Sequence, residues 1–89
     1  MNIKISINVD GNSENKKVFE FDNRFVIDET MQTILKDGFG FQQRIEYIYS
    51  MRNKQKILPT LTFEQGQIFT GDDLYVKLWN INWIVSVQC

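Results

Sequence analysis

The chain has 89 residues, a hydrophobic fraction of 43%, and ten basic residues against eleven acidic ones. This is the size of one domain, with enough apolar side chains for a single core that needs neither a metal nor disulfide bonds. The net charge of -1 creates no field of a single sign, so we expect neither nucleic acid nor an anionic membrane as a ligand.

Three features of the sequence indicate the compartment. The single cysteine, Cys89, cannot form an intramolecular disulfide, which is typical of a reducing environment. Polar residues interrupt the apolar positions of residues 1–11, so no signal peptide is expected there. No segment approaches the roughly 20 apolar residues of a spanning helix. We therefore expect a soluble, cytoplasmic protein without membrane insertion.

The first two elements form a predicted hairpin. Every second residue of the first segment is apolar, which is the period of a half-buried strand: Ile3, Ile5, Ile7 and Val9. Turn-forming residues follow at 10–13. Phe19 and Phe21 then alternate with charged residues, which predicts the second strand.

The period changes after this hairpin. The apolar residues that share one face at helical spacing are Ile27, Met31, Ile34 and Leu35. Asp28 and Glu29 lie in the first turn, where the positive end of the helix dipole favours carboxylates. Gly38 is the predicted C-terminal end of this helix.

The remaining elements are strands and one structured loop. Residues 44–52 predict a third strand and residues 56–58 a short fourth strand, which Pro59 ends because it cannot donate to the ladder. In the loop that follows, we expect Gly66 to adopt a positive φ and Ile68 to enter the core. Gly71 and Asp72 suit a tight turn into a last strand, whose apolar positions are Leu74, Val76 and Leu78.

These elements predict an α+β fold, with a mixed sheet of four to five strands wrapped over one helix. Over residues 1–78 the sequence resembles ubiquitin-like proteins. Among them it looks most like the small YukD/EsaB-type proteins of bacterial type VII (WXG100) secretion systems. The resemblance depends on the first strand, the Met31–Leu35 helix and a closing pattern at positions 61, 67–68 and 71–74.

The resemblance implies a ubiquitin-like β-grasp domain in which the first and last strands are central and parallel. It also implies a non-enzymatic protein-interaction module, an accessory component that docks on a secretion machine. Conjugated modifiers and sulfur carriers instead end in Gly-Gly, and this sequence has no such pair and no glycine after Gly71. A covalent modifier or sulfur carrier is therefore the disfavoured alternative, and we expect no conjugation.

The sequence after residue 78 departs from the YukD/EsaB type, which usually stops soon after the last strand. The apolar positions shift by one residue, which indicates a bend, a bulge or a new strand: Trp79, Ile81, Trp83 and Val85. We divide the chain into a domain at 1–78 and an apolar C-terminal extension at 79–89. The extension is predicted to be either an extra strand or an interaction segment. A segment of the second kind would meet a protein partner or form a homodimer, so a homo-oligomeric adaptor or inhibitor remains a further alternative.

Residues that carry catalytic or metal chemistry are scarce. The chain has no histidine, no CxxC pair and no glycine-rich phosphate loop. Two adjacent acid pairs, Asp28-Glu29 and Asp72-Asp73, are interpreted as helix-terminal and turn residues, because neighbours in a turn do not face each other across a pocket. We predict no catalytic, cofactor or metal site, and no enzymatic activity.

Overall fold

The computed structural model describes residues 1–79. Five strands are present in this range: β1 (Asn2–Val9), β2 (Lys16–Asp22), β3 (Ile45–Ser50), β4 (Gln55–Lys56) and β5 (Asp73–Leu78). The helix α1 (Ile27–Thr33) continues directly into a π-helical segment, Ile34–Phe39. A 3₁₀ turn at Ser13–Asn15 connects β1 to β2, and the Asn12 side chain caps it.

The strands form one mixed sheet in the order β2-β1-β5-β3-β4. The central strands β1 and β5 are parallel, and the other neighbouring pairs are antiparallel. The predicted mixed sheet over one helix, with the first and last strands in the centre, is therefore confirmed.

One face of the sheet and the helix enclose the core. The alternating residues of β1 and β5 point inward, and α1 covers them with its apolar face. The buried apolar residues are Ile3, Ile5, Ile7, Val9, Ile27, Met31, Ile34, Leu35, Ile48, Phe63, Ile68, Leu74, Val76 and Leu78. The predicted helical face, the predicted inward positions of both central strands and the placement of Ile68 are confirmed.

The helical segment ends two residues later than predicted. Gly38 lies inside the π-helical segment, and Gly40 ends it with a φ of 76° and a backbone N–H bonded to the Leu35 carbonyl. A Cβ at position 38 would lie 2.8 Å from the Phe19 ring. Gly38 is therefore needed for close packing against β2, and Gly40 supplies the left-handed conformation that ends a helix.

The expectation that Gly66 adopts a positive φ was also wrong. The positive φ falls on the next residue, Gln67, at 58°. A Cβ on Gly66 would lie 3.2 Å from Ile27 Cδ1 and 3.4 Å from the Thr62 carbonyl oxygen. The glycine at 66 provides space beside the helix, whereas Gly71 has a φ of 93° in the turn before β5.

The strand boundaries also differ from the predicted ones. β3 ends at Ser50 rather than at 52, because Met51 and Arg52 already belong to the turn. The short strand β4 pairs through Gln55 and Lys56 rather than through residues 56–58. No helix in the described part of the chain is long and apolar enough to cross a membrane.

Candidate functional site

Of the four predicted interaction residues, only Trp79 lies within the part that the structure describes. Its side chain is 49% exposed, and its backbone N–H donates to the Arg44 carbonyl at 2.9 Å. Ile81, Trp83 and Val85 lie outside the described residues, as does the rest of the extension at 80–89. Their role as an interaction segment therefore stays a prediction.

The acid pair before β5 divides into two different environments. Asp72 is 4% exposed, while Asp73 is exposed at the start of the strand. The Asp72 carboxylate accepts hydrogen bonds from Arg52 Nε at 2.7 Å, from Arg52 Nη2 at 3.1 Å and from the Phe69 N–H at 3.0 Å. The hydrogen bonds between the Arg52 side chain and the Asp72 carboxylate raise the pKa of Arg52. Asp72 holds the closing loop together, as its predicted turn role requires.

The side of the molecule between β2 and α1 is different, because it carries an open apolar groove of about 600 Å³. We call it the β2–α1 groove. It is lined by Phe19, Glu20, Phe21, Arg24, Phe25, Val26, Glu29, Thr30, Thr33 and Ile34. Phe25 at one end is 52% exposed, and Phe19 and Phe21 are half-buried. A groove of this size and lining is typical of a ligand site.

Aromatic contacts fix the sheet side of the groove. The Phe21 ring lies 4.5 Å from that of buried Phe63, measured between centroids. The Phe19 ring lies 5.6 Å from that of Phe39, at the end of the π-helical segment. Each ring is thus anchored on one side by the core or by the helical segment, while its other side faces the groove. Contacts within the domain therefore hold the sheet side of the groove in place.

The strand beside the groove is an edge strand, since β2 is the outermost member of the sheet. At its end, the Asn23 N–H donates to the Met1 carbonyl at 2.9 Å. Residues of an antiparallel pair alternate between hydrogen-bonded and non-hydrogen-bonded positions. The odd-numbered residues of β2 therefore direct their backbone groups toward β1, and the even-numbered residues direct theirs away from the sheet.

Val18 and Glu20 thus present backbone N–H and C=O groups outward, and we call these groups the free edge. Within residues 1–79 no strand pairs with this side of β2. The Asp22 carbonyl accepts the Phe25 N–H at 3.1 Å, so the free edge ends at the turn. The Val18 side chain is 67% exposed. An exposed edge of this kind can pair with an added strand.

The charges around the groove are mostly negative. Asp22 accepts hydrogen bonds from Arg24 Nη2 at 2.7 Å and Nε at 3.1 Å, and it lies 3.5 Å from the N-terminal amine. The bonds from the Arg24 side chain and backbone hold the pKa of Asp22 far below its usual range. Arg24 is therefore already paired. Glu20 and Glu29 form no ion pair with any of residues 1–79.

The opposite face of the sheet presents three half-buried tyrosines, Tyr47, Tyr49 and Tyr75, which we call the tyrosine face. Tyr49 and Tyr75 are cross-strand neighbours, and the rings of Tyr47 and Tyr75 lie 6.2 Å apart. Lys56 Nζ lies 4.5 Å from the Tyr47 ring. The rings of Tyr47 and Tyr75 therefore contact each other across two paired strands, whereas the groove lies beside the outermost strand of the sheet.

Sequence reasoning missed the groove. The alternation of Phe19 and Phe21 predicted a strand, but it did not show that this strand lies at the edge. Phe25 stands alone between Arg24 and Val26, and an isolated apolar residue gives no periodic signal. The strand order of the ubiquitin-like β-grasp fold could have indicated the groove, because in that order the second strand has no outer neighbour.

The described residues contain no group of three or more histidine, cysteine, aspartate and glutamate side chains placed to hold a metal ion. The buried polar side chains in this part of the chain all have hydrogen-bond partners. Within residues 1–79, the features that could bind a partner are the apolar groove, the free edge of β2 and the exposed carboxylates beside them.

Comparison with known proteins identifies the fold. No protein-family model matches the sequence, and no curated protein does. A solved structure described as a de novo design based on ubiquitin matches with a TM-score of 0.61 and 25% identity, over 86% of this chain and 88% of the design. The EccD5 ubiquitin-like domain from Mycobacterium xenopi matches with a TM-score of 0.56 and 14% identity, over 90% of this chain and 97% of that one. The chain has a ubiquitin-like β-grasp fold.

Proposed function

We propose that this protein is a non-enzymatic, ubiquitin-like interaction module that binds another protein through the β2–α1 groove. The observation that carries the proposal is the position of the groove beside the free edge of β2. Apolar side chains such as Phe25 can bury surface against a partner, and the outward groups of Val18 and Glu20 can bond its backbone. Few other parts of a small domain combine both means of binding.

Exposure supports the same surface. Phe25 and Val18 are 52% and 67% exposed, and they lie at the groove and at the free edge respectively. Val18 lies on the face of β2 opposite to the groove-lining Phe19 and Phe21. A partner strand added at this edge would contact both faces and could therefore cover Val18 as well as Phe25.

For the biological setting, we propose a cytoplasmic accessory component of a bacterial type VII-like secretion system that is not conjugated to other proteins. The support is the resemblance of the sequence to the YukD/EsaB type. The ubiquitin-like fold, which the chain shares with the EccD5 domain from Mycobacterium xenopi, is compatible with this role. A docking role also agrees with a binding surface made of apolar residues and backbone groups.

A homo-oligomeric adaptor is the second candidate, because the Trp79 side chain is half exposed at the start of the apolar extension. Sedimentation of the purified protein separates the two. Dimerisation at micromolar concentrations that is weakened by Trp83→Ala would favour the adaptor. A monomer at all concentrations would favour a module that binds a different protein.

Deletion of the gene in its own host tests the biological setting. We expect export of WXG100 proteins to fail and to be restored by the wild-type gene. Phe25→Ser should not restore export, because it removes the exposed aromatic ring of the groove. Leu58→Ser is the matched control, since Leu58 is 66% exposed but lies outside the groove. Normal export in the deletion strain would overturn the secretion role.

A further inference from the structure

We propose that the groove binds an extended segment of another protein, in which apolar side chains alternate with polar ones and at least one residue is basic. The segment adds to the sheet as a sixth strand beside β2. This inference rests on the proposed function and specifies the chemistry of the partner. Three observations carry it: the free edge, the apolar lining and the unpaired carboxylates.

The free edge requires an extended partner. Val18 and Glu20 are two residues apart and direct their N–H and C=O groups outward, which is the spacing of a strand ladder. A helix satisfies its own backbone groups and could not pair with them. The Asp22 carbonyl already accepts the Phe25 N–H, so the added ladder is limited to the part of β2 before the turn.

The groove requires apolar side chains at every second position. Side chains of an added strand alternate between the two faces of the sheet. On the helix face they would stand beside Phe19 and Phe21 and opposite Thr30 and Ile34 of the helical wall. On the other face they would stand beside Val18 and Glu20, which are exposed to solvent. Apolar and polar residues must therefore alternate in the partner.

The charged side chains of β2 and α1 favour a basic residue at the polar positions of the partner segment. Arg24 is committed to Asp22, and Lys17, at the far end of β2, donates to the Gly38 carbonyl at 2.7 Å. Glu20 on the strand and Glu29 on the helix form no ion pair with any of residues 1–79, although Lys4 is the cross-strand neighbour of Glu20. A lysine or arginine at a solvent-facing position of the added strand would stand beside Glu20. An acidic residue there would be repelled.

The same argument decides against the chain's own extension. Apolar and polar side chains alternate in residues 79–89 except at Ile84, but the segment contains no lysine or arginine. Neither this segment nor its copy in a second molecule offers a positive charge that could stand beside Glu20. The basic partner segment is therefore the occupant that fits all three observations.

The test is a titration of the full-length protein with a capped synthetic peptide in which valines alternate with threonines and a lysine stands at each end. Backbone amide shifts should change at Val18, Glu20 and the groove residues. The same peptide with glutamates in place of the lysines should bind at least about threefold more weakly at low salt, and added salt should narrow the difference. A peptide N-methylated at alternate amides should lose binding, because it cannot form the ladder.

Variants of the protein test whether Glu20 causes the preference for the lysine peptide. Glu20→Lys should weaken binding of the lysine peptide about threefold to fivefold and improve binding of the glutamate peptide. Glu46→Lys is the matched control, because it makes the same charge change on β3, away from the groove, and should alter neither affinity beyond the general effect of net charge. Since both residues are exposed, neither substitution should unfold the domain.

Several results would overturn the proposal. Shifts confined to the tyrosine face would place the ligand elsewhere, and equal affinity for the lysine and glutamate peptides would remove the charge argument. A rise in peptide affinity on Trp83→Ser would show that the chain's own extension occupies the groove, and shifts of β2 amides on dilution of the free protein would show that a second copy does. A failure of peptide binding with export still dependent on Phe25 would reject this ligand and leave the proposed function standing.

Discussion

The loop before β5 and the β2–α1 groove both combine polar and apolar side chains, yet they are built in opposite ways. In the loop, Ile68 is fully buried and the buried carboxylate of Asp72 has partners for both oxygens. In the groove, Phe25 is half exposed and the outward backbone groups of Val18 have no partner in the described chain.

The difference indicates which residues contribute to the stability of the domain and which contribute to binding a partner. Buried apolar and hydrogen-bonded groups contribute to the stability of the domain itself. Exposed apolar groups and unpaired edge groups contribute little until a partner covers them. Substitutions in the loop should therefore change stability, and substitutions in the groove should change binding.

The largest expected effect is that of Ile68→Asp in the loop. An unpaired buried charge costs about 3–5 kcal/mol, which is most of the stability of a small domain, so the variant should be unfolded or nearly so. Phe69→Asp is the matched control, because the neighbouring side chain is 55% exposed. Circular dichroism and thermal unfolding measure both. Equal melting temperatures for Ile68→Asp and the wild type would contradict the placement of Ile68.

Asp72→Ala should have the next largest effect, a loss of about 2–3 kcal/mol in the free energy of unfolding, because it removes a buried carboxylate that accepts hydrogen bonds from the Phe69 N–H and from Arg52. Asp73→Ala changes the adjacent, exposed carboxylate and should stay within about 0.5 kcal/mol of the wild type. Urea unfolding compares the two. Similar losses for both variants would mean that burial does not distinguish these neighbours.

Phe25→Ser should cost no more than about 1 kcal/mol of stability, because the ring is half exposed. The same substitution should abolish detectable binding of the lysine peptide, since it removes the aromatic ring at one end of the groove. Urea unfolding and peptide titration of one preparation give both values. A large loss of stability with unchanged peptide binding would show that Phe25 contributes to the stability of the domain and not to binding.

The smallest expected effect concerns Asp22 at the rim of the groove. Its pKa is lower in the folded protein than in the unfolded chain, so the ion pair stabilises the fold above the unfolded value and this contribution is lost as the pH falls. Asp22→Asn should be slightly less stable than the wild type at neutral pH, and the difference should fade below about pH 4. Thermal unfolding from pH 7 to pH 3 tests the sign. A difference that grew on acidification would exclude this ion pair as its cause.

Much of the fold could be predicted because it depends on local periodicity. The alternation in β1 and β5 fixed which residues face inward, and the helical spacing of Ile27 and Met31 identified the covering face. The glycines were less predictable. Gly38 and Gly66 were interpreted through backbone conformation, whereas the Phe19 ring and Ile27 limit the space at these positions. Such contacts join residues far apart in the sequence.

The candidate site could not be predicted for a related reason. A free edge exists only relative to the order of strands, and Val18 and Glu20 look like any polar-apolar alternation until β2 is known to be outermost. The groove likewise requires Phe25 and Ile34, which belong to different elements, to face the same space. The sequence pointed instead to Trp79, whose side chain is exposed beside the end of β5.

The sequence by itself determined that the chain forms a small α+β domain with alternating apolar residues facing its core from the central strands, because burial periods are local properties of strands and helices. The burial of Ile68 was also predicted, but the adjacent Phe69 is equally apolar and 55% exposed, so only the tertiary structure separates these two neighbours. The tertiary structure alone decided which backbone groups and which carboxylates have no partner within residues 1–79. Both depend on which segments become neighbours when the sheet assembles, and among these residues no strand pairs with the outer edge of β2.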